Sequence, residues 1–195
     1  MGVIRINRKT CHARLLRRAG ALARIARIRV AAIPGNRARG RLSAGLVILH
    51  CALGSAGTVT RKKEGDVATP VGCFRLTSLL YRAERLARPT ALLSTRPVRR
   101  QDFWCDDAAD RRYNRLSQGP VSAGHEKLWR ADGVYNTLII LDYNLKPRTR
   151  GRGSAIFFHL ARADYAPTAG CVAISPRDMR KLLPRLSSRC FMKIV

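Results

Sequence analysis

Two side chains late in the chain have the chemistry for acyl transfer: the imidazole of His159 and the thiol of Cys171. They stand in His159-Leu-Ala-Arg-Ala-Asp-Tyr-Ala-Pro-Thr-Ala-Gly-Cys171-Val-Ala-Ile-Ser175, with the turn formers Pro167, Thr168 and Gly170 between them. A thiol on such a turn exposes its sulfur while nearby backbone N–H groups point toward whatever it attacks. That supplies a nucleophile, a base within reach and, from the N–H groups of Cys171 and Gly170, donors for an oxyanion. A thiol at its reference pKa of about 8.5 is mostly protonated at neutral pH, so it needs a base or a positive field. His159 is the base that the spacing offers, and it would return the proton to a departing amine. A cysteine between glycine and valine is also the pattern of a small buried residue, so the pair alone leaves both readings open.

The elements that must carry the pair are β-strands. Ser154–Phe158 is an apolar segment that would deliver His159 at a strand end, and Val172–Ile174 is apolar again. Upstream, Ile28–Ile33 ends at a Pro34-Gly35 turn and Leu46–Leu49 follows. Thr69–Gly72 is a turn into Cys73–Ser78, Tyr135–Asp142 reads as a buried strand, and Phe191–Val195 would close the sheet. A helix fits Ser175–Leu183, with Ser175 as N-cap and Pro176 in the first turn. A chain of 195 residues is normally one domain, and no stretch of eighteen apolar residues is present.

Four separated blocks carry a family resemblance: Gly65–Phe74, Trp104–Asn114, Gly151–His159 and Tyr165–Ser175. In that order they resemble the YkuD-type L,D-transpeptidase catalytic domain over about 28–195, in a branch with a Thr-x-Gly-Cys-Val-Ala signature. The resemblance implies a mainly β single domain, a mixed sheet or flattened β-barrel with a short helix or two. It also implies a peptidoglycan enzyme in which Cys171 attacks the carbonyl of the third residue of a tetrapeptide stem and expels D-alanine. An amine acceptor then resolves the thioester; water as acceptor would make the same scaffold an L,D-carboxypeptidase or amidase. No metal or organic cofactor is implied. Many relatives have a histidine before the Gly-Cys pair and an arginine after it, where this chain has Ala169 and Ala173. The substrate-binding arginine is therefore unassigned, with Arg177 and Arg162 as the substitutes on offer. Thr168 in the turn and Tyr113 and Asn114 in the middle block are the expected substrate-side residues. Asp106, Asp107 and Asp110 in that block suit a substrate ammonium group or local arginines, and His125 reads as a surface-loop histidine.

The formal net charge is +26, and no acidic residue precedes Glu64. Such a balance calls for an anionic partner. The competing class is a basic, non-catalytic protein that binds nucleic acid or the envelope. Zinc-finger, helix-turn-helix and RNP patterns are absent, so no specific nucleic-acid recognition is expected. Residues 1–27 read as a basic extension, disordered or an amphipathic helix, suited to anionic envelope polymers or a lipid surface. Arginines interrupt every candidate signal-peptide core, although the substrate implies the periplasm or cell envelope. Six cysteines form no C-x-x-C pair, which argues against zinc. Cys171 is read as the reactive thiol, Cys51 and Cys73 as small buried residues, and Cys105 as a second thiol near the cleft. Oligomeric state is left open.

Overall fold

The computed structural model describes residues 23–120 and 124–195. Residues 1–22 of the basic stretch 1–27 read as an extension lie outside them. Of the remainder of that stretch, Ile25 is only 3% exposed within the main core, and its N–H bonds Arg185 O.

Eight strands form a closed ring. In spatial order they are β11 (Thr137–Leu141), β12 (Phe157–Leu160), β13 (Val172–Ile174), β3 (Val47–Ala52), β2 (Asn36–Ala44), β1 (Arg27–Ile33), β14 (Phe191–Ile194) and β6 (Gly72–Tyr81), and β6 pairs back to β11. The β1–β14 and β12–β13 contacts are parallel, and the rest of the ring is antiparallel. Strand β7 (Ser94–Pro97) adds to the second half of β6. The expected mixed, β-rich barrel is thus the fold, and the segment expected to close the sheet does so between β1 and β6.

The period-2 pattern sets what lies inside. Ile28 and Val30, Leu42, Leu76, Ile139, Phe158, Val172 and Met192 project into one core. Helix α1 (Pro176–Leu182) adds Met179 and Leu182 to that core. Its start is set by Ser175, whose Oγ accepts from Asp178 N at 3.1 Å, with proline in the first turn.

Strand β11 is buried on both faces. Its Ile139 and Leu141 face the barrel, whereas Leu138 and Ile140 join a second cluster with Trp104, Leu128, Tyr135, Phe157 and Cys171. A small sheet lies over this outer face: β8 (Phe103–Cys105) between β9 (Arg115–Ser117) and β10 (His125–Lys127). Among the described residues, no helix is long and apolar enough to cross a membrane.

Among the described residues the five cysteines are free thiols. Cys51 is buried as expected, but Cys73 is exposed, because it takes an outward position of β6 opposite Lys193. Cys105, on the middle strand of the small sheet, is fully buried and does not line the cavity described below.

Candidate active site

His159 and Cys171 come from adjacent parallel strands. Phe158 pairs with Val172 and His159 with Ala173, so Cys171 lies just before β13 and its side chain shares a face with those of Phe157 and His159. Both line a cavity of about 530 Å³ at the edge of the second cluster. Each is 6% exposed.

A backbone carbonyl can only accept, so the 2.9 Å contact between His159 Nδ1 and Leu160 O places the ring proton on Nδ1. Nε2 is left with the lone pair that a general base needs. Burial drives the His159 pKa down to about 4, against the Leu160 hydrogen bond, which favours the charged form. Tyr135 meets the imidazole edge-on, with centroids 5.1 Å apart. Burial likewise pushes the Cys171 thiol up to about 12, while the Phe157 N–H and the Lys62 charge pull the other way. The resting pair is therefore neutral thiol beside neutral imidazole. The thiol donates to Ala155 O at 3.2 Å and accepts from Phe157 N at 3.3 Å.

The turn that presents Cys171 is braced by Thr168. Its hydroxyl donates to Cys171 O at 2.7 Å and accepts from Gly170 N at 3.1 Å. Thr168 also lines the cavity and bridges to the 53–55 segment through Thr168 N–Leu53 O and Ser55 N–Thr168 O. The Gly170 N–H is thus engaged by Thr168. Gly170 has φ +130°, and a Cβ there would stand 2.7 Å from Ala68 O, so the position takes only glycine.

Asn114 lies behind the cavity wall rather than in it. Its Oδ1 accepts from Trp104 Nε1 at 2.8 Å and Ala155 N at 3.2 Å, and its Nδ2 donates to Tyr143 O and Asn144 O. It therefore fixes Ala155, a non-glycine residue at φ +52° whose carbonyl holds the thiol. Asn114→Ala is expected to cost about 2–4 kcal/mol, because it leaves several buried partners unsatisfied. Urea unfolding of the two proteins measures this directly.

Tyr113 is also behind the wall, donating its hydroxyl to Glu64 Oε2 at 2.5 Å. Glu64 itself lines the cavity, as do Asp106 and Glu126. Burial first, and then the charges of Glu64 and Glu126, hold the Asp106 carboxyl above the usual range. The other two aspartates of the middle block are used locally: Asp110 pairs with Arg112 at 2.6 Å, and Asp107 accepts from Ala109 N. His125 sits on β10, half-buried and edge-on to Phe103, rather than in a loop. Arg162 lines the cavity and reaches Asp132 at 3.2 Å, whereas Arg177 is exposed on α1 away from it.

Among the cavity residues that the sequence reading did not single out are Arg130, Tyr135 and Lys62. Arg130 bonds Glu126 at 2.9 Å and Asp132 at 2.7 Å, and its guanidinium lies over the Tyr135 ring. Their signal was the density of charge and aromatics in His125–Tyr135. Lys62 is the third, 4% exposed, with Nζ 2.5 Å from Asp66 Oδ1. Its stem passes Gly153, where a Cβ would be 2.8 Å from Lys62 Cε, and Nζ would be 3.3 Å from a Cβ on Gly170. Desolvation works against the Asp66 charge, but the Lys62 ammonium and the Ala68 and Lys63 N–H groups outweigh it and hold the carboxyl below its usual range. Lys62 is thus a buried cation beside the turn that presents Cys171.

None of the curated proteins compared with the chain matches it. Among solved structures, L,D-transpeptidase 1 of Mycobacterium tuberculosis is similar at 11% identity and a TM-score of 0.37, over 86% of this chain and 61% of that one. The family model for the L,D-transpeptidase catalytic domain, YkuD, matches residues 3–194. With its closed mixed barrel and its thiol turn beside a strand-end histidine, the chain belongs to the L,D-transpeptidase catalytic-domain family.

Proposed function

We propose that the protein is a peptidoglycan L,D-transpeptidase working at the cell envelope, with Cys171 as nucleophile and His159 as base and acid. The observation that supports this best is the shared wall: a thiol and an imidazole with a free Nε2 line one cavity from neighbouring strands.

The thiol leaves Ala155 O, gives its proton to His159 Nε2 and attacks the carbonyl of the third stem residue. The tetrahedral oxyanion meets Cys171 N–H, and the imidazolium then protonates the departing D-alanine nitrogen. An amine acceptor enters next; His159 takes its proton as it attacks the thioester, and the sulfur leaves as thiol. The carboxylates of Glu64, Asp106 and Glu126 favour binding of an acceptor as its ammonium over water alone. The ammonium gives one proton to a carboxylate or solvent before the free amine attacks, and His159 takes the second. Arg130 and Arg162 are the cations in the same cavity that could meet a stem carboxylate.

Incubation with a tetrapeptide muropeptide and a free D-amino acid tests the reading by mass spectrometry. Exchange of the terminal D-alanine, or a cross-linked dimer, is the expected result. Loss of D-alanine with no acceptor product would instead make the enzyme an L,D-carboxypeptidase.

Burial opposes any charge on the sulfur, so a nearby cation is needed, and Lys62 supplies it. Lys62→Met keeps the stem and removes the charge. It is expected to slow iodoacetamide labelling of Cys171 about 5- to 10-fold at fixed pH. That is well below the roughly 4 kcal/mol of a bare unit charge at about 4 Å and an effective dielectric of about 20, because Asp66 offsets much of the Lys62 charge. Exposed Cys73 in the same digest is the internal reference, and an unchanged Cys171/Cys73 ratio would remove Lys62 from the mechanism.

A further inference from the structure

Five neighbouring strands of the barrel, β3, β2, β1, β14 and β6, contain no aspartate or glutamate at all. Their inward positions fill the core, so their outward positions form one wall, and its charges are all of one sign. The register lays Ile48, Ser43, Arg29, Lys193 and Cys73 in one row across the five strands. At strand spacings of about 4.8 Å such a row spans roughly 19 Å. A flanking row holds Arg27, Phe191 and Arg75, and on the other side Arg41 pairs with His50. Arg27, Arg29, Arg41, Arg75 and Lys193 are all exposed. Among the described residues none of the five takes part in an ion pair.

The same wall carries exposed apolar side chains. Leu46, at the tip of the β2–β3 hairpin, is 103% exposed, and Ile48 beside it is 68% exposed. A wall of like charges repels itself and is relieved by an anionic partner. Phosphates of a duplex would satisfy the arginines but offer nothing to Leu46 and Ile48. An anionic bilayer satisfies both, with guanidinium groups among headgroup phosphates and the apolar tip at the acyl boundary.

We infer that this barrel wall docks the protein on an anionic phospholipid surface, with the Leu46–Ile48 hairpin tip entering the interface and Arg27, Arg29, Arg41, Arg75 and Lys193 on the headgroups. The docking face is separate from the Cys171 cavity, since none of these residues lines it.

Co-sedimentation of the full chain with phosphatidylglycerol-containing and pure phosphatidylcholine vesicles at 0.1 M salt tests this. Binding to the anionic vesicles alone is expected. The double variant Leu46→Ser/Ile48→Ser should weaken it at least about fivefold, and Arg29→Gln/Arg41→Gln/Lys193→Gln at least about tenfold. As a measurement independent of those variants, Leu46→Trp should shift its emission to the blue on vesicle addition. Two results would overturn the inference. One is vesicle binding indifferent to the Leu46/Ile48 change and competed away equally by duplex DNA, which would mark a generic polyanion surface. The other is binding unchanged in both sets of variants, which would place the contact elsewhere on the chain.

Discussion

Cys171→Ala is expected to lower acyl transfer from a tetrapeptide stem by at least about 10⁴-fold, with no thioester mass on the protein. Among the described residues no other cysteine is placed to replace it. Cys51, Cys105 and Cys190 are buried outside the cavity, and Cys73 is on the outer wall. Intact-protein mass spectrometry after incubation with the donor reads the acyl-enzyme, and muropeptide analysis reads turnover. Residual exchange at more than a hundredth of the original rate would move the nucleophile elsewhere. The same substitution alters stability at high pH. The native thiol keeps its proton up to about 12, whereas the unfolded thiol loses it above about 8.5. Stability therefore falls as pH rises through that window, and Cys171→Ala should flatten part of the fall. Cys51, pushed by burial to about 12, and Cys190, to about 11, contribute in the same direction, as do the raised Cys105 thiol and the raised hydroxyls of Tyr113, Tyr135 and Tyr143.

His159→Gln is expected to cost about 10²–10⁴-fold in rate, the usual contribution of a positioned general base. Its second signature is a change in acid stability. Burial holds the native pKa at about 4, and the unfolded value is about 6.5. Between these values the unfolded chain binds more protons, so stability is full above about 6.5 and is lost as pH falls toward 4. The shift corresponds to roughly 3 kcal/mol. Urea midpoints at pH 4.5 and pH 7 should differ markedly for the unaltered chain and much less for His159→Gln. An equal acid loss in both would show that His159 is not held neutral in the native state.

What the sequence revealed follows from how local each signal is. Strand β11 was legible as an unbroken apolar segment, and α1 as a Ser-Pro cap before Met179 and Leu182. Strand β2 was mostly missed, because arginines fill its outward positions while its inward ones include Gly40 and Ala44, small residues that look like a loop. The three strands of the small sheet have three residues each, too short for any periodicity, and exist because Leu116 and Trp104 find a core beneath them. His159 and Cys171 could be read as neighbours from the sequence because twelve residues and one turn join them, and the structure sets both on one cavity. Lys62 reaches the same turn from more than a hundred residues upstream, through a fold no spacing predicts. Tyr113 and Asn114, expected on the substrate side, stand behind the cavity wall and bond Glu64 and Ala155 instead. Arg177 was picked for its nearness in sequence, and the helix carries it away.

The barrel is closed by the strand that is made last among those in the ring. Until Phe191–Ile194 is available, β1 and β6 each show a bare edge, and the ring holding His159 beside Cys171 lacks a stave. A chain emerging from its N-terminal side therefore presents Cys171 before the ring around it can close. For the nucleophile proposed above, chain order delays assembly of the cavity until the last strand is in place.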